Sequence, residues 1–194
     1  MAQLHLPHMP QYMNWDTLAS SHVSVLKLFL FYAVPMSVFP PAMIYYAGVT
    51  YGGGLLPALG NTQLQIIAML FFITELAMTF VVAYIIQQLG EVVDIKPAYE
   101  DAYMMAVVVP TPLWLAPLLL FIPSFMLNLT AGAAALILSG ILIFNAVPAI
   151  LKVEEKGNAM LLSGSILAAG MVMWAVMMYL TLFSWGFVSS SMFI

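Results

Sequence analysis

The chain has 194 residues, 64% hydrophobic and 6% charged, with a formal net charge of −4; a soluble domain carries roughly 25% charged residues, so a water-soluble fold is excluded. Four lysines are the only basic side chains and arginine is absent, which excludes the basic footprint that nucleic-acid binding needs. Cysteine is absent too, which removes disulfides, thiolate nucleophiles and cysteine-based metal sites.

Uncharged stretches run from Leu28 to Thr74, from Ala102 to Leu151 and from Gly157 to Ile194. Each can hold one or more bilayer crossings of about 20 residues. The expected fold class is an all-α membrane protein, a five-span transmembrane helix bundle forming one compact domain.

Residues 1–22 are mixed and polar, with Pro7 and Pro10 discouraging helix and Asn14 or Asp16 able to cap a short one. They hold no Lys or Arg and no apolar core, so span 1 is expected to act as the insertion signal. Trp15 suits the headgroup level. His5 and His8 lack a third metal ligand and read as a solvated tail. This segment is expected to be a short cytoplasmic N-terminal tail.

Span 1 is expected over about 23–48, with Lys27 near its start able to snorkel. Pro35, Pro40 and Pro41 fall inside it and predict a bend. Residues 49–62, with Gly52-Gly53-Gly54, are expected to be a loop; no Gly-Lys-Ser/Thr follows, so it is not a phosphate loop. Span 2 is expected over about 66–86, with Glu75 at its middle. Residues 90–101 hold Glu91, Asp94, Lys96, Glu100 and Asp101 and mark an aqueous loop. Span 3, about 102–122, contains Pro110, Pro112 and Pro117 and is expected to break near Pro110-Thr111-Pro112, with Trp114 close to the break.

Span 4 is expected over about 129–151. Ala131, Ala135 and Ser139 form a small-residue stripe that lets another helix approach, Asn145 is its polar group, and Pro148 bends its end. Lys152-Val-Glu-Glu-Lys156 is a charged turn. Span 5, about 160–188, carries a second stripe at Gly164/Ala168 and Ser165/Ala169. Lys96, Lys152 and Lys156 lie in the loops after spans 2 and 4, which predicts a cytoplasmic N-terminus and a C-terminus outside.

Glu75 is the candidate for chemistry. A carboxylate at a helix centre in the bilayer costs roughly 2.5–3.5 kcal/mol on insertion scales. It must be neutral, paired or facing a wet cavity. No second Asp, Glu or His lies in any span, so a relay has no further member. Its helical neighbours are Phe71, Phe72, Met78 and Thr79, with Ala68 and Val82 extending the face. The expectation is a neutral carboxyl hydrogen-bonded to Asn145 or to a span 3 carbonyl freed by proline. A proton or ion relay, and a contact with a partner subunit or lipid, stay open. The candidate intramembrane polar and packing site is therefore Glu75, Asn145, Thr79, Pro112 and Pro148.

Enzymatic signatures are missing. There is no HExxH, no pair of intramembrane aspartates, and no base for Ser163 or Ser165, which read as helix-packing serines. The sixteen methionines are scattered. Met171 and Met178, with Trp174 between them, read as core filling rather than a copper site. No cofactor or metal is expected.

Thr111-Pro112-Leu113-Trp114-Leu115, then Ile122-Pro123, then Ile143-Phe-Asn-Ala-Val-Pro148 before Lys152-Val-Glu-Glu-Lys156 resemble the Yip (Ypt/Rab-interacting protein) family in its bacterial, YohC-like inner-membrane branch. Trp15 and Pro35 fit more loosely. The resemblance implies five spans, a cytoplasmic N-terminus and a bacterial inner-membrane location. The expected function is non-enzymatic: a scaffold or accessory subunit of a larger membrane complex, or a membrane organiser. Its expected partners are the lipid bilayer and other integral membrane proteins or further copies of itself, with no nucleic acid. A small transporter or channel using Glu75 and the broken span 3 is the alternative.

Overall fold

The computed structural model describes residues 23–52 and 59–190, with side chains to Phe187. The expectations at His5, His8, Asn14, Trp15 and Asp16, and for Gly53 and Gly54, lie outside those residues. Among the described residues there is no strand, and five helices are long and apolar enough to cross a membrane: α1 (Val25–Tyr51), α2 (Asn61–Val92), α3 (Tyr99–Phe121), α4 (Phe125–Ile150) and α5 (Lys156–Phe187).

Prolines shape α1. Pro35 has no N–H, and the turn just before it widens to π-helix over Phe29–Ala33. Ser37 closes this first half: its N–H reaches the Ala33 carbonyl at 2.9 Å and its hydroxyl donates to the Val34 carbonyl at 3.2 Å. The helix restarts at Phe39. Pro40 and Pro41 then occupy a first turn, where a missing N–H breaks no helical bond.

In α2 the Gly60 N–H donates to Gln63 Oε1 at 2.9 Å and so fixes the helix start. Its 32 residues make about 48 Å at 1.5 Å per residue, longer than a hydrocarbon core of about 30 Å. The expected 66–86 covers its apolar part. The added turns, Asn61 to Gln65 and Gln87 to Val92, are the polar ends of the same helix. At the far end a Cβ on Gly90 would stand 2.6 Å from the Pro97 ring, so this glycine admits the returning chain. Asp94, at φ 59°, makes the reversal, and the Gln87 amide donates to the Pro97 carbonyl at 3.2 Å.

The break in α3 falls at Val109–Pro110, between helix Tyr99–Val108 and helix Thr111–Leu115, followed by a 3₁₀ segment Ala116–Phe121. Pro112 cannot donate to Val108, four residues back. The Thr111 hydroxyl donates to that carbonyl instead, at 2.5 Å. Its proton being spent, Thr111 accepts from the Tyr32 hydroxyl of α1 at 2.6 Å. One break is thus satisfied by its own neighbour and tied to another span.

The first half of α3 is the centre of the bundle: every residue from Ala102 to Val108 is buried. Around it pack Ala83 and Ile86 of α2, Val147 and Ile150 of α4, and Leu162 of α5. Val93 and Val153 join the same core from the charged loops, so the tightest packing lies at the charged-loop end. Ser124 caps α4 by accepting the Leu127 N–H at 3.4 Å. Ala135 and Ser139 of its stripe face inward and are buried. In its most apolar stretch α5 is the least covered helix, 6% buried against 22–33% for the others.

Candidate intramembrane cavity site

Away from that core the helices part around a cavity of about 440 Å³, bounded by α2, α3, α4 and α5 and touched by Pro40 of α1. Glu75 lies about 21 Å along α2 from Asn61 at 1.5 Å per residue, close to the helix midpoint. Phe71, Met78, Thr79, Val82 and Ile86 share its face at spacings of three and four and line the same cavity. The break turns the second half of α3 so that Pro110, Trp114 and Pro117 form another wall. Gly132, Leu136 and Ser139 contribute from α4.

The polar groups in this apolar space are few. The buried Trp114 side chain on α3 lines the cavity beside the Glu75 carboxyl, and its indole N–H is a donor near it. Glu75 Oε2 is buried and has no partner, and the same holds for Ser139 Oγ. Thr79 is committed elsewhere: its hydroxyl donates to the Leu76 carbonyl at 2.7 Å and accepts from the Tyr103 hydroxyl at 3.3 Å. Asn128 spends its amide N–H groups on the Ile122 and Ser124 carbonyls, at 3.0 and 2.9 Å.

Of the five residues singled out from the sequence, Glu75 and Thr79 meet in the cavity and three do not. Asn145 is exposed, and its amide donates to the Ile141 carbonyl of its own helix at 2.7 Å. The expected bond from Glu75 to Asn145 or to a span 3 carbonyl is not formed. The short asparagine side chain is satisfied within one turn, and Glu75 Oε2 is left without a partner. Pro112 sits in the first turn after the α3 break, outside the cavity lining, and Pro148 lies exposed near the end of α4.

Met171, Trp174 and Met178 correct a second expectation. They line the cavity rather than fill a core, and Met171 and Trp174 are 56% and 39% exposed. Trp114 and Ser139 are the residues missed as site members. The signals were present: an indole beside a helix break, and a hydroxyl in a stripe otherwise made of alanines.

Among the described residues no group of three or more His, Cys, Asp or Glu side chains could hold a metal ion. One carboxyl, one free hydroxyl and two indole side chains within hydrocarbon walls make a place suited to holding a molecule.

The family model of the Yip1 domain matches residues 12–177. The inner membrane protein YohC of Escherichia coli K12 is 27% identical over 140 residues, 72% of this chain and 71% of that protein. YohC of Escherichia coli O6:H1 strain CFT073 aligns with the same identity and coverage. No solved structure matches the chain. The family match runs from before α1 into α5 and takes in the broken α3 and the cavity-bearing faces of α2 and α4: the chain belongs to the Yip1 domain family.

Proposed function

We propose that this is a non-enzymatic, multi-pass protein of a bacterial inner membrane that works by lateral association, as a scaffold or accessory subunit of a larger membrane complex or in organising the membrane. The observation that carries this reading is the outward face of α5. Gly164 and Ala168 are exposed there, and a Cβ on Gly164 would meet nothing within 4 Å. The corresponding stripe of α4 is used inside the bundle. Small residues on a bilayer-facing helix let a second helix pack backbone to backbone. The name of the relatives, inner membrane protein, supports the location. The three loop lysines support a cytoplasmic N-terminus and a periplasmic C-terminus.

The chain has no cysteine, so introduced thiols are clean probes. Gly164→Cys and Ala168→Cys should each give an oxidised, higher-mass product in native membranes, with a second copy or with a partner. Ile137→Cys, on an exposed face of α4, should not. Equal cross-linking at all three positions, or none, would remove the reading.

One observation favours a second reading, a small transporter: Glu75 and the broken α3 share a cavity. It requires a flux in reconstituted vesicles that Glu75→Gln abolishes.

A further inference from the structure

Two buried polar atoms without a protein partner, Glu75 Oε2 and Ser139 Oγ, belong to residues on different helices that line one cavity. Buried hydroxyls and carboxyls are almost always hydrogen-bonded, and in the same lining the Thr79 hydroxyl and the Asn128 amide N–H groups are committed within the protein. Ser139 is only 6% exposed, and its hydroxyl does not take the carbonyl of its own helix that Ser165, Thr130 and Ser184 use, which leaves it free for a group in the cavity.

The chemistry of a fitting ligand follows from the walls. About 440 Å³ lies within the range of small-molecule sites. The surroundings are aliphatic, thioether and aromatic, so most of the ligand must be apolar. Glu75 is the only ionisable side chain in the lining, and none of the four lysines contributes to it. A carboxyl in hydrocarbon is either neutral or matched by a counter-charge. A cation-bearing ligand supplies what the protein withholds, and an ammonium also supplies hydrogen-bond donors for the carboxylate and for the serine oxygen. Trp114 and Trp174 add ring faces that attract a cation. Trp174 and Met171, which line the cavity and are also exposed on α5, mark an entrance from the bilayer side.

We propose that the cavity between α2, α3, α4 and α5 is a binding site for a lipophilic amine: one ammonium group seated between Glu75 and Ser139, with an apolar body along the methionine and tryptophan walls. The site stands whether or not the bound molecule crosses the membrane, and it does not depend on lateral association through α5.

Monodansylcadaverine, a primary amine on an apolar fluorophore, is a direct probe. Its N-acetyl derivative keeps the body and removes the charge. The full chain in phosphatidylcholine nanodiscs should show saturable energy transfer from tryptophan to the dansyl group. Binding should weaken at least tenfold for the acetylated probe and for Glu75→Gln, and several-fold for Ser139→Ala. It should not change for Glu154→Gln in the charged turn. Partitioning without saturation overturns the proposal. So does equal binding of the acetylated probe, which would make the cavity a general hydrocarbon pocket. The comparison of the two probes needs only the wild-type protein and decides the matter even if Glu75→Gln fails to fold.

Discussion

Thr111 and Trp114 lie within one turn of each other, just after the break in α3. The stability of variants at this break can be followed by circular dichroism during unfolding in mixed micelles. Thr111→Val removes a hydroxyl that satisfies the Val108 carbonyl and receives the Tyr32 hydroxyl. Both are left unpaired, so the cost should be about 1–3 kcal/mol. Thr111→Ser, which keeps the oxygen, should recover most of it. An unchanged Thr111→Val would mean that solvent or lipid reaches the break. The tie to Tyr32 was not legible in the sequence. Pro110-Thr111-Pro112 announces a broken helix, but that the Tyr32 hydroxyl of α1 closes on Thr111 depends on how the spans pack. Asn145 was misread for a related reason: polarity inside a span suggests a partner across the bundle, whereas one turn of its own helix suffices.

Helices are where sequence and structure agree best, because the signal for a bilayer crossing is simple. Long uncharged runs give the five spans, and proline positions give the breaks in α1 and α3. What a run of apolar residues cannot give is a face. A helix that is apolar all round carries no amphipathic pattern, so Met171, Trp174 and Met178 could be placed on α5 but not turned toward a cavity. The limits of α2 escaped for a different reason: hydropathy marks where lipid ends, not where hydrogen bonding ends. Its last turn offers a test in which two effects have opposite signs. Alanine is a better helix former than glycine by about 1 kcal/mol, so propensity alone favours Gly90→Ala. The added methyl would meet the Pro97 ring at 2.6 Å, and a ring cannot rotate away. Overpacking of this kind costs about 1–3 kcal/mol. The variant should therefore be less stable, by a lowered melting temperature; a raised one would show that the loop over 93–98 gives way.

For the molecule as a whole, the absence of cysteine turns topology into a labelling experiment. Asp94→Cys and Glu155→Cys should react with a membrane-impermeant maleimide only after cells are opened. Pro123→Cys, in the uncharged turn between α3 and α4, should react in intact cells. The opposite pattern would invert the proposed orientation. The bundle is also polarised from end to end. Tyr103, Met104, Val107, Val147 and Leu162 are sealed at the charged-loop end, whereas Leu113, Leu136 and Gly132 border open space. This division governs how the architecture can change over evolutionary time. A saturation library should find the sealed end intolerant, since each change there creates a void or a clash, and the cavity walls permissive. Lineages could then vary the shape of the cavity around an inherited frame without first acquiring compensating stability.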